Sequence, residues 1–211
     1  MTYNILLWGR TRSGKSLYTK MKILHELERL KKYAIIIDPQ NEYDKYKKTS
    51  KKKFIDDLKK YRIIRYVPKG NTIKERIEDV DELYKMIYDN LRNCYIIVDE
   101  APKVGGQQHQ LSLGLDMLVT GGLKWGLRCV LITQRIQMID KTLSGNCTCK
   151  IIFKVEDDID WKKVRDYNGE VYQFLRFDAK GKLPYCVVKD GVVVKKCHCL
   201  LEELKSIGLI T

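Results

Sequence analysis

The sequence has no long apolar run and few histidines, and both shortages exclude classes of protein. No stretch approaches the ~18 consecutive apolar residues that cross a bilayer, so no stable membrane insertion is expected. The N-terminus lacks a charged segment followed by an apolar one, which argues against a secretory signal and predicts an intracellular protein. The three histidines, His25, His109 and His198, show no metal-ligand or catalytic spacing.

The cysteines do not form the pattern of a small secreted scaffold, because the chain is too long and too rich in ordinary core residues. Cys147 and Cys149 form a C-x-C pair, as do Cys197 and Cys199. A zinc site is one reading, although C-x-C matches the usual ligand spacing poorly. Disulfides and simple buried thiols are the others. Alternation along a strand places both thiols of a C-x-C pair on one face, which suits core packing.

Composition favours an ordinary globular protein with an anionic partner. Of the 211 residues, 44% are apolar and 32% are charged, and the formal net charge is +13. The length suggests one domain. The charge favours nucleic acid or an anionic membrane surface, and a lysine-rich surface that only keeps the protein soluble is the alternative. The stretch 43–61 carries eight lysines, predicted to form either a solvated face or a phosphate-contact surface with Lys51, Lys52 and Lys53 as candidates.

Apolar runs that alternate with helical patterns predict an α/β fold with a mostly parallel sheet. The predicted strands are 4–8, 33–38, 62–67, 94–98, 127–133 and 150–155, and the predicted helices are 16–30, 78–91 and 111–120. Beyond about residue 160 the pattern predicts antiparallel strands at 171–177, 185–189 and 192–195, then a short helix at 200–207. Asp190-Gly191 is a strong hairpin signal. We therefore expect one domain over 1–211, with a core at 1–165 and a β-hairpin extension with a short C-terminal helix at 166–211.

A phosphate-binding loop is predicted where the first strand meets the first helix. The residues Gly9-x4-Gly14-Lys15-Ser16 match the P-loop pattern in the strand–loop–helix context that it requires. Lys15 is predicted to reach the β- and γ-phosphates of ATP, and the Ser16 hydroxyl to ligate Mg²⁺. The whole predicted nucleotide-binding segment comprises Gly9, Arg10, Thr11, Arg12, Ser13, Gly14, Lys15, Ser16 and Leu17.

Polar residues end two further predicted strands. Asp99 and Glu100 follow the run Tyr95–Val98. Asp99 is predicted to support Mg²⁺, as a Walker B aspartate does, and Glu100 to activate the attacking water. Gln134 ends the next strand, and because parallel strands end at one crevice, it is expected near the γ-phosphate.

These motifs together resemble the FtsK–HerA superfamily of DNA-pumping ATPases. Asp38-Pro39-Gln40-Asn41-Glu42-Tyr43 matches the Asp-Pro-x-x-Glu-Tyr segment of that superfamily, and Thr133-Gln134-Arg135 matches its Thr-Gln-Arg strand end. Asp157–Asp160 is similar to a later Asp-containing helix start. The resemblance covers roughly residues 3–165. Among the short members, the chain looks most like the genome-packaging ATPases of Sulfolobus turreted icosahedral viruses, which are of the poxvirus type.

The resemblance implies an ATP- and Mg²⁺-dependent motor that pumps double-stranded DNA into a preformed viral capsid. It further implies a homo-oligomeric ring, with a hexamer expected, and a capsid or membrane-vertex protein as docking partner. The site of action would be the cytoplasm of the infected host cell, transiently at the procapsid vertex. The loop 103–110 is the candidate element that couples hydrolysis to DNA, with Lys103 as a DNA contact.

One departure leaves a catalytic part unassigned. Superfamily members often carry an arginine in a Gly-Arg-Lys-x-Gly segment, where this chain has Leu123. The candidates for an arginine finger supplied by a neighbouring subunit are Arg76, Arg92 and Arg128. Two other functions stay open: another superfamily motor (conjugation, DNA processing or phage assembly), or a P-loop kinase or nucleotide switch. Glu100 and Gln134 argue against the kinase.

Overall fold

The strands lie side by side in an order that differs from their order along the chain. The structure is a computed structural model that describes residues 3–108 and 110–209. Its strands are β1 (Ile5–Trp8), β2 (Tyr33–Ile37), β3 (Lys47–Lys48), β4 (Ile63–Tyr66), β5 (Cys94–Val98), β6 (Gly106–Gln107), β7 (Gln110–Leu111), β8 (Arg128–Thr133), β9 (Cys149–Phe153), β10 (Tyr185–Lys189) and β11 (Val192–Cys197). Nine of them form one sheet in the order β11-β10-β9-β1-β8-β5-β2-β4-β3, and β6 pairs with β7.

The sheet is parallel from β9 to β3, and only β10 and β11 run antiparallel to their neighbours. The predicted α/β P-loop NTPase fold with an antiparallel C-terminal extension is thereby confirmed. One strand, β8, separates β1 from β5. The ends of these three strands therefore meet in one crevice, with the end of β8 in the middle.

Helices connect the strands and cover both faces of the sheet. They are α1 (Lys15–Tyr18), α2 (His25–Arg29), α3 (Phe54–Tyr61), α4 (Ile73–Asn90), α5 (Leu113–Gly121), α6 (Lys141–Gly145), α7 (Asp158–Tyr167), α8 (Gly169–Gln173) and α9 (Leu200–Ser206). A π-helical segment, Thr19–Leu24, joins α1 to α2, and short 3₁₀ turns occupy Ala101–Val104, Gly122–Trp125 and Ile136–Met138. None of the helices in the described residues is long and apolar enough to cross a membrane.

The predicted strand at 171–177 is wrong, because this stretch is helical. It forms α8 and a π-helical segment, Phe174–Asp178. The Asn168 side chain accepts a hydrogen bond from the Val171 N–H at 3.0 Å and so begins the helix. Val171, Phe174 and Leu175 follow helical spacing and are buried against α7 and the sheet. Their β-branched and aromatic character suggested a strand, but burial of this stripe decided for a helix.

Successive residues of each central strand pack on opposite faces of the sheet. In β1, Leu6 packs in the core beneath α4 and α5, whereas Ile5 and Leu7 pack beneath the first helix and α9. Both faces are buried, which explains why these strands read as unbroken apolar runs. β10 continues the core sheet beside β9. The division into core and extension stays a prediction.

The cysteines are buried residues of this core. All seven are free thiols, and burial raises the pKa of Cys94 and Cys147 to about 12, so these thiols are protonated at neutral pH. Within residues 3–108 and 110–209, no group of three or more His, Cys, Asp or Glu side chains is arranged to hold a metal. Cys147 packs in the core on one face of the sheet, and Cys149 and Cys197 pack in the core on the other face.

Candidate nucleotide-binding site

The segment 9–14 forms a tight loop between β1 and α1. Gly14 has a φ of +104°, a conformation that L side chains rarely adopt. A Cβ at Gly9 would lie 2.6 Å from the Phe153 Cβ, so the loop also approaches β9 too closely for a side chain there. The loop geometry thus requires the two glycines that define the sequence motif.

Lys15 folds back over this loop. Its ammonium donates hydrogen bonds to the carbonyl oxygens of Gly9, at 2.6 Å, and Arg10, at 2.8 Å, and the residue is only 6% exposed. Burial lowers the pKa of Lys15, and the carboxylates of Glu100 and Asp99 oppose that lowering. A cation in this position meets the oxygens of any phosphate that the loop binds.

A cavity of about 280 Å³ adjoins the loop. Five of its lining residues belong to the predicted nucleotide segment: Arg12, Gly14, Lys15, Ser16 and Leu17. The sixth, Leu183, comes from the C-terminal extension, and sequence reasoning missed it. No motif marks Leu183, because only the tertiary fold brings it to the P-loop.

Asp99 and Glu100 directly follow β5 beside the loop, and both are buried. The pKa of Asp99 is raised to about 7. Burial is the largest cause, and the nearby carboxylates of Glu100, Glu42 and Asp38 add to it. Carboxylate and hydroxyl oxygens are the ligands that a hard divalent cation such as Mg²⁺ prefers. The chemistry of Asp99 and Ser16 therefore suits Mg²⁺, and their role as its ligands stays a prediction.

Gln134 joins the loop to Glu100. Its amide nitrogen donates a hydrogen bond to the Glu100 carboxylate at 2.7 Å, and its amide oxygen accepts one from the Thr11 hydroxyl at 2.7 Å. Glu100 itself lies in the left-handed region, with a φ of +47°. Such a conformation costs of order 1–3 kcal/mol and often marks a functional site. The position of β8 between β1 and β5 makes this three-residue bridge possible.

The Asp-Pro-x-x-Glu-Tyr segment lies on the other side of Asp99. Asp38 is fully buried and accepts hydrogen bonds from the backbone N–H groups of Glu42, at 2.9 Å, and Tyr43, at 3.0 Å. The Arg65 guanidinium also pairs with Asp38, at 3.2 Å. These contacts hold the segment in a tight turn beside the site.

Arg135 points away from this bridge toward α7. It forms ion pairs with Asp157 and Asp160, so the Thr-Gln-Arg strand end and the Asp157–Asp160 helix start contact one another. Burial and the neighbouring Asp157 carboxylate raise the pKa of Asp160 to about 6, and Arg135 opposes this. The strand end that carries Gln134 is therefore tied to the helix packed over β9.

The three arginine-finger candidates lie at opposite ends of the parallel strands. Arg92 and Arg128 lie where β5 and β8 begin, away from the crevice, and stack on Trp125 and Tyr95. Arg76 lies in the first turn of α4, at the crevice edge, where its Nε donates to the Gly70 carbonyl at 3.0 Å. The structure thus separates Arg76 from the other two.

The lysine candidates also differ. Lys51 forms ion pairs with Asp79, at 2.9 Å, and with Glu82. Lys52, Lys53 and Lys103 are exposed, and Lys103 lies three residues after Glu100. His109, in the predicted coupling loop, lies outside the described residues.

Sequence reasoning also missed a basic cavity of about 450 Å³ between α6 and α7. Three lysines line it, Lys141, Lys150 and Lys163, against one carboxylate, that of Asp166. Burial lowers the pKa of Lys150, which lies 4.5 Å above the Tyr167 ring. Ile136 and Gln137, just after Gln134, form part of the same wall, so the cavity begins next to the strand end that carries Gln134.

Solved structures share this arrangement of strands and helices. The genome packaging NTPase B204 of Sulfolobus turreted icosahedral virus 2, in complex with ATP-gammaS, superposes with a TM-score of 0.75 at 18% identity, over 93% of this chain and 98% of that one. The chain has the fold of a genome-packaging NTPase. The DNA-packaging ATPase B204 of Sulfolobus turreted icosahedral virus also gives 0.75, at 18% identity, over 93% and 97% of the two chains.

This packaging-NTPase fold extends to a more distant group. EssC (ATPases 2 and 3) of Geobacillus thermodenitrificans gives a TM-score of 0.57 at 14% identity, covering 93% of this chain and 39% of that one. No family model matches the sequence, and no curated protein matches it. At these identities the likeness establishes the fold, and the function is inferred from the site.

Proposed function

We propose that this chain belongs to the FtsK–HerA superfamily and is an ATP-hydrolysing translocase that packages a double-stranded viral genome. The observation that carries the proposal is the bridge from Thr11 through Gln134 to Glu100. It joins the phosphate-binding loop, the end of the intervening strand and the candidate general base in one hydrogen-bonded unit. A phosphate-binding loop alone would suit many functions, whereas this unit suits hydrolysis.

In the proposed reaction, the P-loop backbone and Lys15 bind the phosphates of ATP. Mg²⁺, held by Ser16 and supported by Asp99, would neutralise charge on the β- and γ-phosphates. Glu100 accepts a proton from the attacking water. Gln134 keeps the Glu100 carboxylate oriented and reads the γ-phosphate from the same position. Loss of that phosphate would then alter the bridge and, through Arg135, the position of α7.

The proposed assembly is a homo-oligomeric ring, with a hexamer expected, in which a neighbouring subunit completes the site. Arg76 is our proposed finger, because it lies at the crevice edge, while Arg92 and Arg128 lie at the opposite edge. In this proposal the whole chain acts as one domain. It works in the cytoplasm of the infected host cell and docks transiently on a capsid or membrane-vertex protein.

Double-stranded DNA is the proposed substrate of translocation. Lys103, Lys52 and Lys53 would contact its phosphates, with little base specificity. Lys51 contributes less, since its ammonium is already paired with two carboxylates. Lys141, Lys150 and Lys163 add a second basic surface that starts beside the Gln134 strand end.

The deciding experiment is the steady-state ATPase rate of the purified chain with and without double-stranded DNA, beside the Glu100→Gln variant. We expect hydrolysis by the wild type, stimulation by DNA and no turnover by the variant. Hydrolysis that DNA does not stimulate would contradict the translocase and favour a nucleotide switch. Absence of ATP binding would contradict the nucleotide site itself.

A further inference from the structure

The loop 179–184, between the π-helical segment and β10, lies directly against the P-loop. A Cβ at Gly14 would lie 3.4 Å from the Leu183 Cβ and 3.5 Å from its Cδ1, which are contact distances. Leu183 lines the same cavity as Lys15, Ser16 and Leu17. A residue of the C-terminal extension therefore forms part of the wall of the candidate nucleotide site.

The backbone at Leu183 is held in a costly conformation. Its φ is +57°, in the left-handed region that a leucine rarely adopts. The Leu183 carbonyl accepts a hydrogen bond from the Leu200 N–H at 3.3 Å, and Leu200, at the start of α9, is fully buried. Strain of this kind persists only where the surroundings impose it, and it is concentrated at ligand clamps and active sites.

Two chemically different kinds of side chain line the cavity. Those of Arg12, Lys15 and Ser16 are cationic or carry a hydroxyl, and those of Leu17 and Leu183 are aliphatic. A nucleoside triphosphate also has two kinds of surface, since its phosphates need cations and N–H donors and its base presents apolar faces. The proposed P-loop accounts for the phosphates, which leaves the two leucines without an assigned ligand.

We propose that Leu183, together with Leu17, forms the subsite for the nucleobase. This inference rests on the proposed nucleotide binding and adds the part of the ligand that the P-loop motif does not address. The C-terminal extension thereby contributes directly to substrate binding, because Leu183 is positioned by β10 on one side and α9 on the other.

The same lining predicts weak selection between bases. The six lining side chains are cationic, hydroxyl-bearing, aliphatic or, at Gly14, absent, so no carboxylate or amide among them reads the edge of a base. An apolar subsite rejects a base of similar shape only weakly, whereas a subsite built of hydrogen-bonding groups rejects it strongly. We therefore expect ATP and GTP to bind within roughly tenfold of each other.

The test measures the dissociation constants of ATP, GTP and inorganic tripolyphosphate for the wild type and for Leu183→Gly. Glycine accepts the positive φ, so this variant removes the side chain without adding backbone strain. We expect ATP binding to weaken roughly tenfold or more, and tripolyphosphate binding to stay within about threefold, since it lacks a base. Leu123→Asp, at an exposed leucine on the opposite edge of the sheet, serves as the control and should match the wild type.

Equal losses of ATP and tripolyphosphate binding in Leu183→Gly would overturn the inference, because Leu183 would then only support the P-loop. Unchanged ATP binding would overturn it too, as would wild-type binding of ATP no tighter than that of tripolyphosphate. In these cases the proposed nucleotide site survives. If the wild type binds neither ligand, the proposed function fails first, and the two failures are thus distinguishable.

Discussion

The amide nitrogen of Gln134 lies 2.7 Å from a carboxylate oxygen of Glu100, although the two residues are 34 positions apart in the chain. The carboxylate is buried at the end of β5 and has a strained backbone. A base that abstracts a proton from water must be held in one orientation, and the Gln134 amide would supply that restraint to Glu100 in its proposed role. This contact gives the first prediction its physical basis.

Glu100→Gln should abolish ATP turnover and leave ATP affinity nearly unchanged. An amide cannot accept the proton of the attacking water, and general-base catalysis is worth roughly 10²–10⁴-fold. The measurements are single-turnover hydrolysis and equilibrium binding of ATP. Hydrolysis at the wild-type rate would remove Glu100 from the role of base.

Thr11→Val should slow hydrolysis roughly tenfold, because Gln134 loses the hydroxyl that holds its amide oxygen. Valine keeps the shape of threonine, and Thr11 is exposed, so the free energy of unfolding should not change. Thr142→Val is the matched control, at an exposed threonine on α6. A wild-type rate in Thr11→Val would mean that Gln134 is positioned without Thr11.

Arg65→Ala should lower the free energy of unfolding by about 3–5 kcal/mol, because it leaves the fully buried Asp38 carboxylate without its cation. The measurement is urea denaturation. Arg29→Ala is the control, since Arg29 pairs with Glu26 at the surface, where solvent screens the charges and the pair contributes little to stability. Equal effects of the two substitutions would contradict the structural role of the Asp38–Arg65 pair.

Glu203 should stabilise the fold in a pH-dependent manner. Partial burial opposes ionisation, but hydrogen bonds from Lys195, Lys22 and Tyr185 outweigh it and lower the pKa of Glu203 to about 2. In the unfolded chain the pKa is about 4.3. The unfolded state therefore binds the proton first as the pH falls. The stabilisation is complete above the pKa of the unfolded state and is lost progressively as the pH falls toward the pKa of the folded state.

Glu203→Gln should accordingly cost about 1–2 kcal/mol at pH 7, and the difference from the wild type should shrink between pH 4.5 and pH 2. Urea denaturation across this range is the measurement. Glu202→Gln, at the exposed neighbour, should show no such pH dependence. A difference that stays constant with pH would mean that the charge of Glu203 contributes nothing.

The lysines proposed to contact DNA should differ in their effect on salt dependence. The slope of log K against log salt is negative, and each lost phosphate contact lowers its magnitude by about 0.9. Lys103→Ala and Lys52→Ala should each lower it by about that amount, and Lys51→Ala by less, since Lys51 is paired with Asp79 and Glu82. A flat salt response of the wild type would contradict the phosphate-contact model.

Local sequence was enough to predict the parallel strands, the P-loop and the acidic pair Asp99-Glu100. Strands buried on both faces must be continuously apolar, and a phosphate loop must carry glycines at set positions. Both features can therefore be recognised from consecutive residues of the sequence. Patterning failed at Val171–Phe177, where apolar residues fit a strand and a helix equally in a short run. Burial against α7 and the Asn168 cap decided between the two.

Only the tertiary structure decided which side chains meet. Gln134 contacts Glu100 because β8 lies between β1 and β5, and Leu183 reaches the P-loop because β10 and α9 bring it there. Arg65 pairs with Asp38 because β4, which carries Arg65, lies beside β2, which Asp38 follows. Strand order and the packing of a late segment on an early one depend on contacts between distant residues. The sequence by itself therefore determined the parallel strands and the phosphate loop, and long-range packing determined the helix at 171–177, the bridge, the buried ion pair and the candidate base subsite.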